Sequence, residues 1–277
     1  MDLLANVWRS MEQDPRLKGR PLIDNPVPVF GIIVGYLLFV LKVGPNMMRD
    51  RKPMNVKNFA RIFNLYQVLI SSWTVYTVCV CCWKLSIGYG EPPNVKTDPL
   101  TMRLIDCLYI YLFVRISDLV DTVLFVLSGK QSHVSGLHVY HHVAVVFNMW
   151  LYLRQNWLYF ALPGLVMNAG VHVIMYSYYF LATFPPMRPY LWWKKHLTML
   201  QIVQFVCMLL LMAGVFFIDV EYPPAALANT GGTVFVIMCM FVNFYVKNYI
   251  NKARELQQKK AFDEQRQWQQ QQHIKSN

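Results

Sequence analysis

Residues 137–152 read LHVYHHVAVVFNMWLY, an apolar run that contains three histidines and one asparagine. A helix that crosses a membrane needs about 20 mostly apolar residues, and this slightly short run is one of several such segments. Only 15% of the 277 residues are charged, while 55% are hydrophobic. Because a soluble domain carries about 25% charged residues, the sequence predicts an all-α integral membrane protein.

Seven segments are apolar and long enough to be transmembrane helices, with six as the fallback because the fourth and fifth share a poorly defined boundary. They are residues 27–43, 59–83, 104–127, 137–152, 157–184, 197–218 and 226–246. Basic residues crowd the first and fifth connections and follow the last segment, so the positive-inside rule predicts a cytosolic C-terminus. An odd number of crossings then places the N-terminus on the opposite side of the membrane.

The chain therefore divides into an N-terminal segment (1–25), a transmembrane domain (26–247) and a Gln-rich C-terminal tail (248–277). We expect no cleaved signal peptide in the first segment. The tail is expected to be a frayed amphipathic helix that becomes disordered. The net charge of +11 lies between the spans and in the tail, which favours anionic lipid headgroups and a phosphorylated ligand over nucleic acid.

Three histidines lie in the fourth span, where ionisable side chains are costly and therefore indicate function. His138, His141 and His142 are spaced i, i+3 and i+4, which places them on one side of a helix. Asn148 follows His141 by seven residues and returns to the same side. Packing alone does not explain three imidazoles in one sector of an apolar helix.

The third span carries Arg115, Asp118, Asp121 and Thr122 at helical spacing. Two interpretations stay open and are compatible. Buried opposite charges can lock neighbouring helices together. Carboxylates can also hold a histidine in one tautomer.

The fifth and sixth spans add further polar groups. Asn168 and His172 are spaced i, i+4, and Tyr176 and Tyr179 continue that face, although tyrosines near a span end are also typical interfacial anchors. In the sixth span, Gln201 and Gln204 either join helices or donate hydrogen bonds to a carbonyl oxygen.

Histidine clusters suggest two kinds of chemistry. The four histidines inside spans are too few for the di-iron site of a membrane desaturase, but one metal ion held by them with Asp118 or Asp121 stays open. In the alternative, a neutral imidazole attacks a thioester or acts as a base. The sequence offers no serine or cysteine nucleophile motif as a rival. A receptor or transporter, the third class, has no need of such a cluster.

At these residues the chain resembles the very-long-chain fatty acid elongases, the 3-ketoacyl-CoA synthases of the endoplasmic reticulum. The histidine run at 138–142 is similar to the family signature, and residues 168–179 and 198–204 are similar to its tyrosine and glutamine boxes. Residues 44–53 resemble its first cytosolic loop. One box departs, because the family has Lys-x-x-Glu-x-x-Asp-Thr where this chain has Arg115 and Asp118. Since arginine stays charged, a structural or orienting role is expected there.

The resemblance implies seven transmembrane helices, six forming an inverted barrel around a narrow tunnel for the acyl chain. It implies a condensation of acyl-CoA with malonyl-CoA that gives 3-oxoacyl-CoA, CoA and CO2, with no further cofactor. The enzyme would lie in the endoplasmic reticulum membrane among membrane lipids, with a lumenal N-terminus. A ketoacyl reductase, a dehydratase and an enoyl reductase would be its partners, and a homodimer is left open.

The resemblance also implies roles for individual residues. His141 would accept the acyl group as an acyl-imidazole, His172 would position the intermediate or stabilise charge, and His138 and His142 would orient or shuttle protons with Asp118 or Asp121 behind them. The expected substrate-binding residues are Asn148, Asn168, Tyr176, Tyr179, Gln201, Gln204 and Arg115, with Arg188, Lys194 and Lys195 for the CoA phosphates.

Overall fold

The computed structural model describes residues 14–87, 97–155, 157–217 and 224–276, and these residues form helices and turns without a β-strand. The helices are α1 (Val27–Met48), α2 (Lys57–Leu85), α3 (Pro99–Ser117), α4 (Leu119–Leu127), α5 (Gly136–Arg154), α6 (Leu158–Ala182), α7 (Lys194–Gly214), α8 (Pro224–Tyr245) and α9 (Lys252–Ser276). Short 3₁₀ turns at Gln131–His133, Pro185–Tyr190 and Val215–Phe217 lie in the connections. The all-α prediction is confirmed.

Each of the seven predicted segments is mainly helical over its described residues, and five stretches are long and apolar enough to cross a membrane. These are Val27–Met48, Lys57–Leu85, Tyr159–Ala182, Lys194–Gly214 and Pro224–Gln267. The remaining two predicted spans, 104–127 and 137–152, are less apolar because they contain the polar side chains of the predicted site. Helix α3 contains Arg103, Asp106 and Arg115, and α5 contains three histidines. The chain is thus a multi-helix membrane protein, and the number of seven crossings stays a prediction.

The helices contact one another in a closed circuit. The order of contacts is α2, α3, α5, α8, α7, α6 and back to α2, with the most extensive contact between α2 and α6. Helix α1 lies outside this circuit and contacts α4 and α5, and α5 also contacts α6, which follows it in the chain. Six helices joined in this way enclose an interior, and most polar residues of the predicted site lie on them.

Polar side chains lie inside this bundle, and apolar side chains lie on its surface. Ile62 and Leu69 on α2 are 72% and 62% exposed, whereas Gln67 and Ser71 on the same helix are fully buried. This distribution reverses that of a soluble protein. It is typical of helices whose outer surface faces lipid and whose polar groups pair inside.

Residues 14–26 pack across the end of the bundle that carries the α5–α6 connection. The indole of Trp150 donates to the carbonyl oxygen of Leu22 at 2.8 Å, and Arg16 Nη2 donates to the hydroxyl of Tyr159 at 2.9 Å. Ile23 is fully buried in the main hydrophobic core. From the sequence, residues 1–25 were predicted only to be a polar segment, so the packing of residues 14–26 against the bundle was not predicted.

The C-terminal tail continues the last apolar helix. Helix α8 passes through a π-helical segment, Val246–Asn251, into α9, which ends at Ser276. The helix predicted for the tail is confirmed and extends to Ser276, while its fraying and disorder stay a prediction. Residue 277 lies outside the described chain.

Helix α1 approaches α4 closely at Gly44. Pro45 lacks an N–H and its ring crowds the carbonyl one turn earlier, and the helix is π-helical over Phe39–Val43, where Gly44 N–H donates to Phe39 O. A Cβ added to Gly44 would lie 2.7 Å from Val126 Cγ1. The hydroxyl of Tyr36, about two turns before this point, hydrogen-bonds Thr122 Oγ1 of α4 at 2.8 Å. Gly44 thus permits the α1–α4 contact.

We predict that Gly44→Ala destabilises the protein by about 1–3 kcal/mol, because the new methyl group would clash with Val126 of α4 and with the backbone oxygen of Phe39. Gly35→Ala on the same helix is the control, since nothing lies within 4 Å of its added Cβ, and it should be neutral or slightly stabilising. Thermal denaturation of the detergent-solubilised protein measures both. Equal midpoints for the two variants would contradict the close contact.

Candidate active site

The histidines of α5 form one cluster near the beginning of the helix. Ser135 caps the helix by accepting a hydrogen bond from His138 N at 3.2 Å. The rings of His138 and His142 lie 4.3 Å apart, and those of His141 and His142 lie 5.5 Å apart. His142 is buried, and His138 Nε2 is buried with no hydrogen-bond partner among the described residues. The predicted clustering of the three imidazoles is confirmed.

Asp118 interrupts the third predicted span, which is divided into α3 and α4. Asp121 N–H donates to Asp118 O at 3.1 Å, an i→i+3 bond that tightens the backbone there. The Asp118 carboxylate pairs with Arg115, with 3.1 Å between Nη1 and Oδ2, and it accepts from Gln67 Nε2 at 2.6 Å. Arg115 and Asp118 are 1% and 2% exposed. The i, i+3 ion pair expected from the sequence is therefore present and fully inside the bundle.

Arg115 joins this ion pair to helix α6. Its Nη1 lies 3.2 Å from Asn168 Oδ1 and 3.2 Å from His172 Nδ1, and its guanidinium stacks over the Tyr111 ring at 4.4 Å. A guanidinium only donates, so the contacted nitrogen of His172 must present a lone pair. His172 is 4% exposed. The sequence suggested that a carboxylate would hold a histidine in one tautomer, but in the structure an arginine contacts His172.

The carboxylates instead contact Tyr176. Its hydroxyl lies 2.6 Å from Asp121 Oδ2 and 3.2 Å from Asp118 Oδ1, and the side chain is fully buried. No hydrogen bond within the described residues joins either aspartate to His138 or His142. Tyr179 is 38% exposed and stacks edge-on against Tyr176 at 6.0 Å. Of the two tyrosines expected on one face, only Tyr176 belongs to the buried hydrogen-bond network.

A cavity inside the helix circuit brings residues from five of its helices together. Arg115, His141, Asn168 and Gln204 all line it, and its volume is about 130 Å³. Asn148 lines it too, as its spacing from His141 predicts. Most of the remaining wall is apolar, with Val145, Met149, Phe160, Pro163, Leu165, Phe205, Met208, Leu211, Met212, Val234 and Ile237. The cavity is an apolar pocket with a polar, histidine-containing region.

His172 and Gln201 lie next to this cavity and are not part of its wall. His172 reaches it through Arg115, which contacts His172 and lines the cavity. Gln201 Nε2 lies 3.5 Å from the sulfur of Met175 on α6, a contact that joins two helices. Of the two glutamines of α7, Gln204 is thus the one positioned to reach a ligand.

The basic residues of the α6–α7 connection are exposed and do not contact the histidine cluster. Arg188, Lys194 and Lys195 lie at one end of the bundle. Partial burial, together with the positive charges of Lys194 and Lys130, lowers the pKa of His133 in the neighbouring α4–α5 connection. The ring of Phe125 lies 5.2 Å from that of His133 and 5.4 Å from that of His138. A basic surface therefore adjoins the histidine end of the bundle.

The described residues do not include three His, Cys, Asp or Glu side chains placed to share a metal ion. The donor arrangement left open by the sequence, histidines together with Asp118 or Asp121, is not formed. Arg115 lies against His172, and the two carboxylates turn toward Arg115, Gln67 and Tyr176. The six cysteines are free.

Two site-forming residues were missed by the sequence reasoning. Gln67 was not identified although it lies on a polar stripe of α2, with Asn64, Ser71 and Thr74 at helical spacing, all buried. That periodicity inside a predicted span was the available signal. Tyr111, which stacks on Arg115 and lies 3.4 Å from Asn168 Oδ1, had no such signal because the contact depends on tertiary packing.

Comparison with known proteins agrees with this site. Residues 21–257 match the model of the ELO family, described as GNS1/SUR4. The chain is 33% identical to very long chain fatty acid elongase 1 of Homo sapiens, over 92% of this chain and 93% of that protein. It is 34% identical to very long chain fatty acid elongase 5 of Mus musculus, over 87% and 80% of the two chains. The chain therefore belongs to the ELO family of fatty acid elongases.

Proposed function

We propose that this protein condenses a long-chain acyl-CoA with malonyl-CoA to give 3-oxoacyl-CoA, CoA and CO2. The observation that carries the proposal is the position of His141 in the polar region of an otherwise apolar cavity. An apolar pocket with a few placed polar groups is typical of a ligand site. A thioester needs both parts, because its acyl chain is apolar and its reacting carbonyl must meet a nucleophile.

In the proposed placement, seven helices cross the endoplasmic reticulum membrane, with the N-terminus lumenal and the C-terminus cytosolic. The circuit of six helices is the barrel, and the apolar cavity is the part of it that takes the acyl chain. The basic surface with Arg188, Lys194 and Lys195 then faces the cytosol. Exposed cations at the histidine end of the bundle suit the phosphates of CoA, which stay outside the membrane.

The proposed reaction has two steps. The lone pair of a His141 nitrogen attacks the thioester carbon, the C–S bond breaks, and CoA leaves as a thiolate that takes up a proton. Malonyl-CoA then loses CO2, and the resulting carbanion attacks the acyl carbon and releases the imidazole. Overall one proton is consumed, and no metal or other cofactor is required.

Several donors are placed for the oxygen that becomes negative in both steps. Gln204 and Asn168 line the same cavity as His141 and carry amide N–H groups, and Arg115 contributes a fixed positive charge. Donors held in place before the reaction stabilise such charge without reorganisation. His172 lies beside the cavity with both ring nitrogens close to Arg115 Nη1, and it would act on the reacting groups by positioning that arginine.

We predict that His141→Ala abolishes incorporation of radiolabelled malonyl-CoA into acyl-CoA while the protein still folds. The variant removes the nucleophile, so it should also fail to release CoA from acyl-CoA when malonyl-CoA is withheld. His196→Ala is the control, since His196 is exposed and stacks only on Trp192 among the ring contacts described. Appreciable chain extension by His141→Ala would overturn the nucleophile assignment.

We also predict that Arg115→Met destabilises the protein by about 3–5 kcal/mol, because it leaves the Asp118 carboxylate buried and unpaired. Adding Asp118→Asn removes that charge and should restore most of the stability. Arg20→Met is the matched control, since the Arg20–Asp106 pair at 2.6 Å is partly exposed and should be worth less than about 1 kcal/mol.

Thermal denaturation in detergent measures all three proteins. The double variant should fold but lose activity, because the contact to His172 is gone. A loss of stability for Arg115→Met no larger than that of Arg20→Met would show that the buried pair does not hold the helices together.

A further inference from the structure

The phenyl ring of Phe125 lies between the histidine cluster and the exposed α4–α5 connection. It is 5.2 Å from the ring of His133, an exposed residue of that connection, and 5.4 Å from the ring of His138, the first imidazole of α5. The ring of His142 follows 4.3 Å from that of His138, and the ring of His141 lies 5.5 Å from that of His142. A line of imidazoles thus leads from the surface to the cavity, and a phenyl ring interrupts it.

Backbone hydrogen bonds at the end of α4 hold Phe125 in this place. Its carbonyl oxygen accepts from Lys130 N–H at 2.8 Å and from Ser128 Oγ at 3.3 Å. The connection between α1 and α2 bonds to the same turn, because Met54 N–H donates to Leu127 O at 2.9 Å. The phenyl ring is therefore carried by a turn that is bonded on both sides.

His138, the buried neighbour of this ring, has an unsatisfied nitrogen. Its Nε2 atom is buried and has no hydrogen-bond partner among the described residues. A buried polar atom without a partner costs free energy, and ordered water is a common partner for such atoms inside proteins. If the phenyl ring were removed, the space would be bordered by His133 and His138, which gives water the polar partners that it needs. Phe125 thus occupies a place that water would otherwise take.

Exclusion of water has a chemical consequence in the proposed reaction. After the first step the acyl group is bound to His141, and water can attack its carbonyl carbon in place of the malonyl-derived carbanion. In that hydrolysis a C–O bond forms, the C–N bond to the imidazole breaks, and one proton of the water passes to the freed nitrogen, so that a fatty acid leaves. Enzymes with reactive intermediates close their sites against water for this reason.

The other side of His141 offers water a poorer approach. There His141 borders the cavity, whose wall is mostly apolar, and apolar cavities in proteins stay dry. The short polar approach to the acyl-carrying imidazole is the line that begins at His133 and passes His138 and His142. Phe125 lies across this line.

We propose that Phe125 seals the histidine cluster against water and so directs the acyl group on His141 to the malonyl-derived carbanion. Phe125 is not among the residues that line the cavity, so it acts on the reaction through the imidazoles and not by touching the substrate. The property that it controls is the ratio of condensation to hydrolysis. This inference rests on the proposed condensation activity and adds to it the device that prevents the side reaction.

The test follows the acyl group of a radiolabelled long-chain acyl-CoA and separates free fatty acid from 3-oxoacyl-CoA. The wild-type protein should form mainly 3-oxoacyl-CoA with malonyl-CoA present, and little fatty acid when malonyl-CoA is withheld. In Phe125→Ala the ratio of fatty acid to 3-oxoacyl-CoA should rise severalfold, and fatty acid should also form without malonyl-CoA. Should Phe125→Ala not fold, Phe125→Leu carries the same expectation with a smaller rise.

Phe113→Ala is the matched control, because it also removes a phenyl ring but lies on the outer face of α3, where it is 41% exposed and stacks on Tyr109. Its product ratio should equal that of the wild-type protein. Phe125→Ala combined with His141→Ala should release no fatty acid above background, because the acyl-imidazole is not formed.

Two results would overturn the seal and leave the condensation activity intact. One is an unchanged product ratio in a folded Phe125 variant, with folding checked by thermal denaturation. The other is fatty acid release that persists when His141 is also replaced. Failure of the wild-type protein to extend any acyl-CoA would instead refute the proposed function.

Discussion

The buried ion pair between Arg115 and Asp118 is the interaction on which the interior of this protein depends. A buried charge is costly unless it is paired and hydrogen-bonded. Asp118 meets this condition through Arg115, Gln67 and Tyr176. These partners come from α3, α2 and α6, so satisfying one carboxylate fixes three neighbouring helices of the circuit relative to one another.

The same guanidinium connects structure with chemistry. The Nη1 atom of Arg115 contacts Asp118, Asn168 and His172. The same side chain lines the cavity that His141 also lines. An electrostatic requirement of folding therefore also sets the orientation of a histidine. The family pattern has lysine at this place, and a lysine ammonium is a compact point charge. The planar fork of arginine, stacked on Tyr111, defines the direction of its contacts more narrowly.

Sequence reasoning succeeded where the information is local. The i, i+3, i+4 spacing places His138, His141 and His142 together, and the same periodicity brings Asn148 to the cavity. It failed where partners are distant in the chain. Three contacts could be predicted only by knowing which helices are neighbours. They are the bond between Gln67 and Asp118, the contact between Asn148 and Asn229, and the packing of residues 14–26 over Trp150 and Tyr159. A break at Asp118 could not be foreseen either, because neither glycine nor proline marks it.

The continuity of helix α8 with α9 has a mechanical consequence. It forms part of the cavity wall with Thr230, Val234 and Ile237, and the same rod continues through Val246–Asn251 into α9. At about 1.5 Å per residue, the stretch from Pro224 to Ser276 is far longer than the apolar core of a bilayer. Another protein or a membrane surface that binds α9 can therefore influence the cavity. A rotation of α9 is transmitted through Val246–Asn251 to α8, which forms part of the cavity wall.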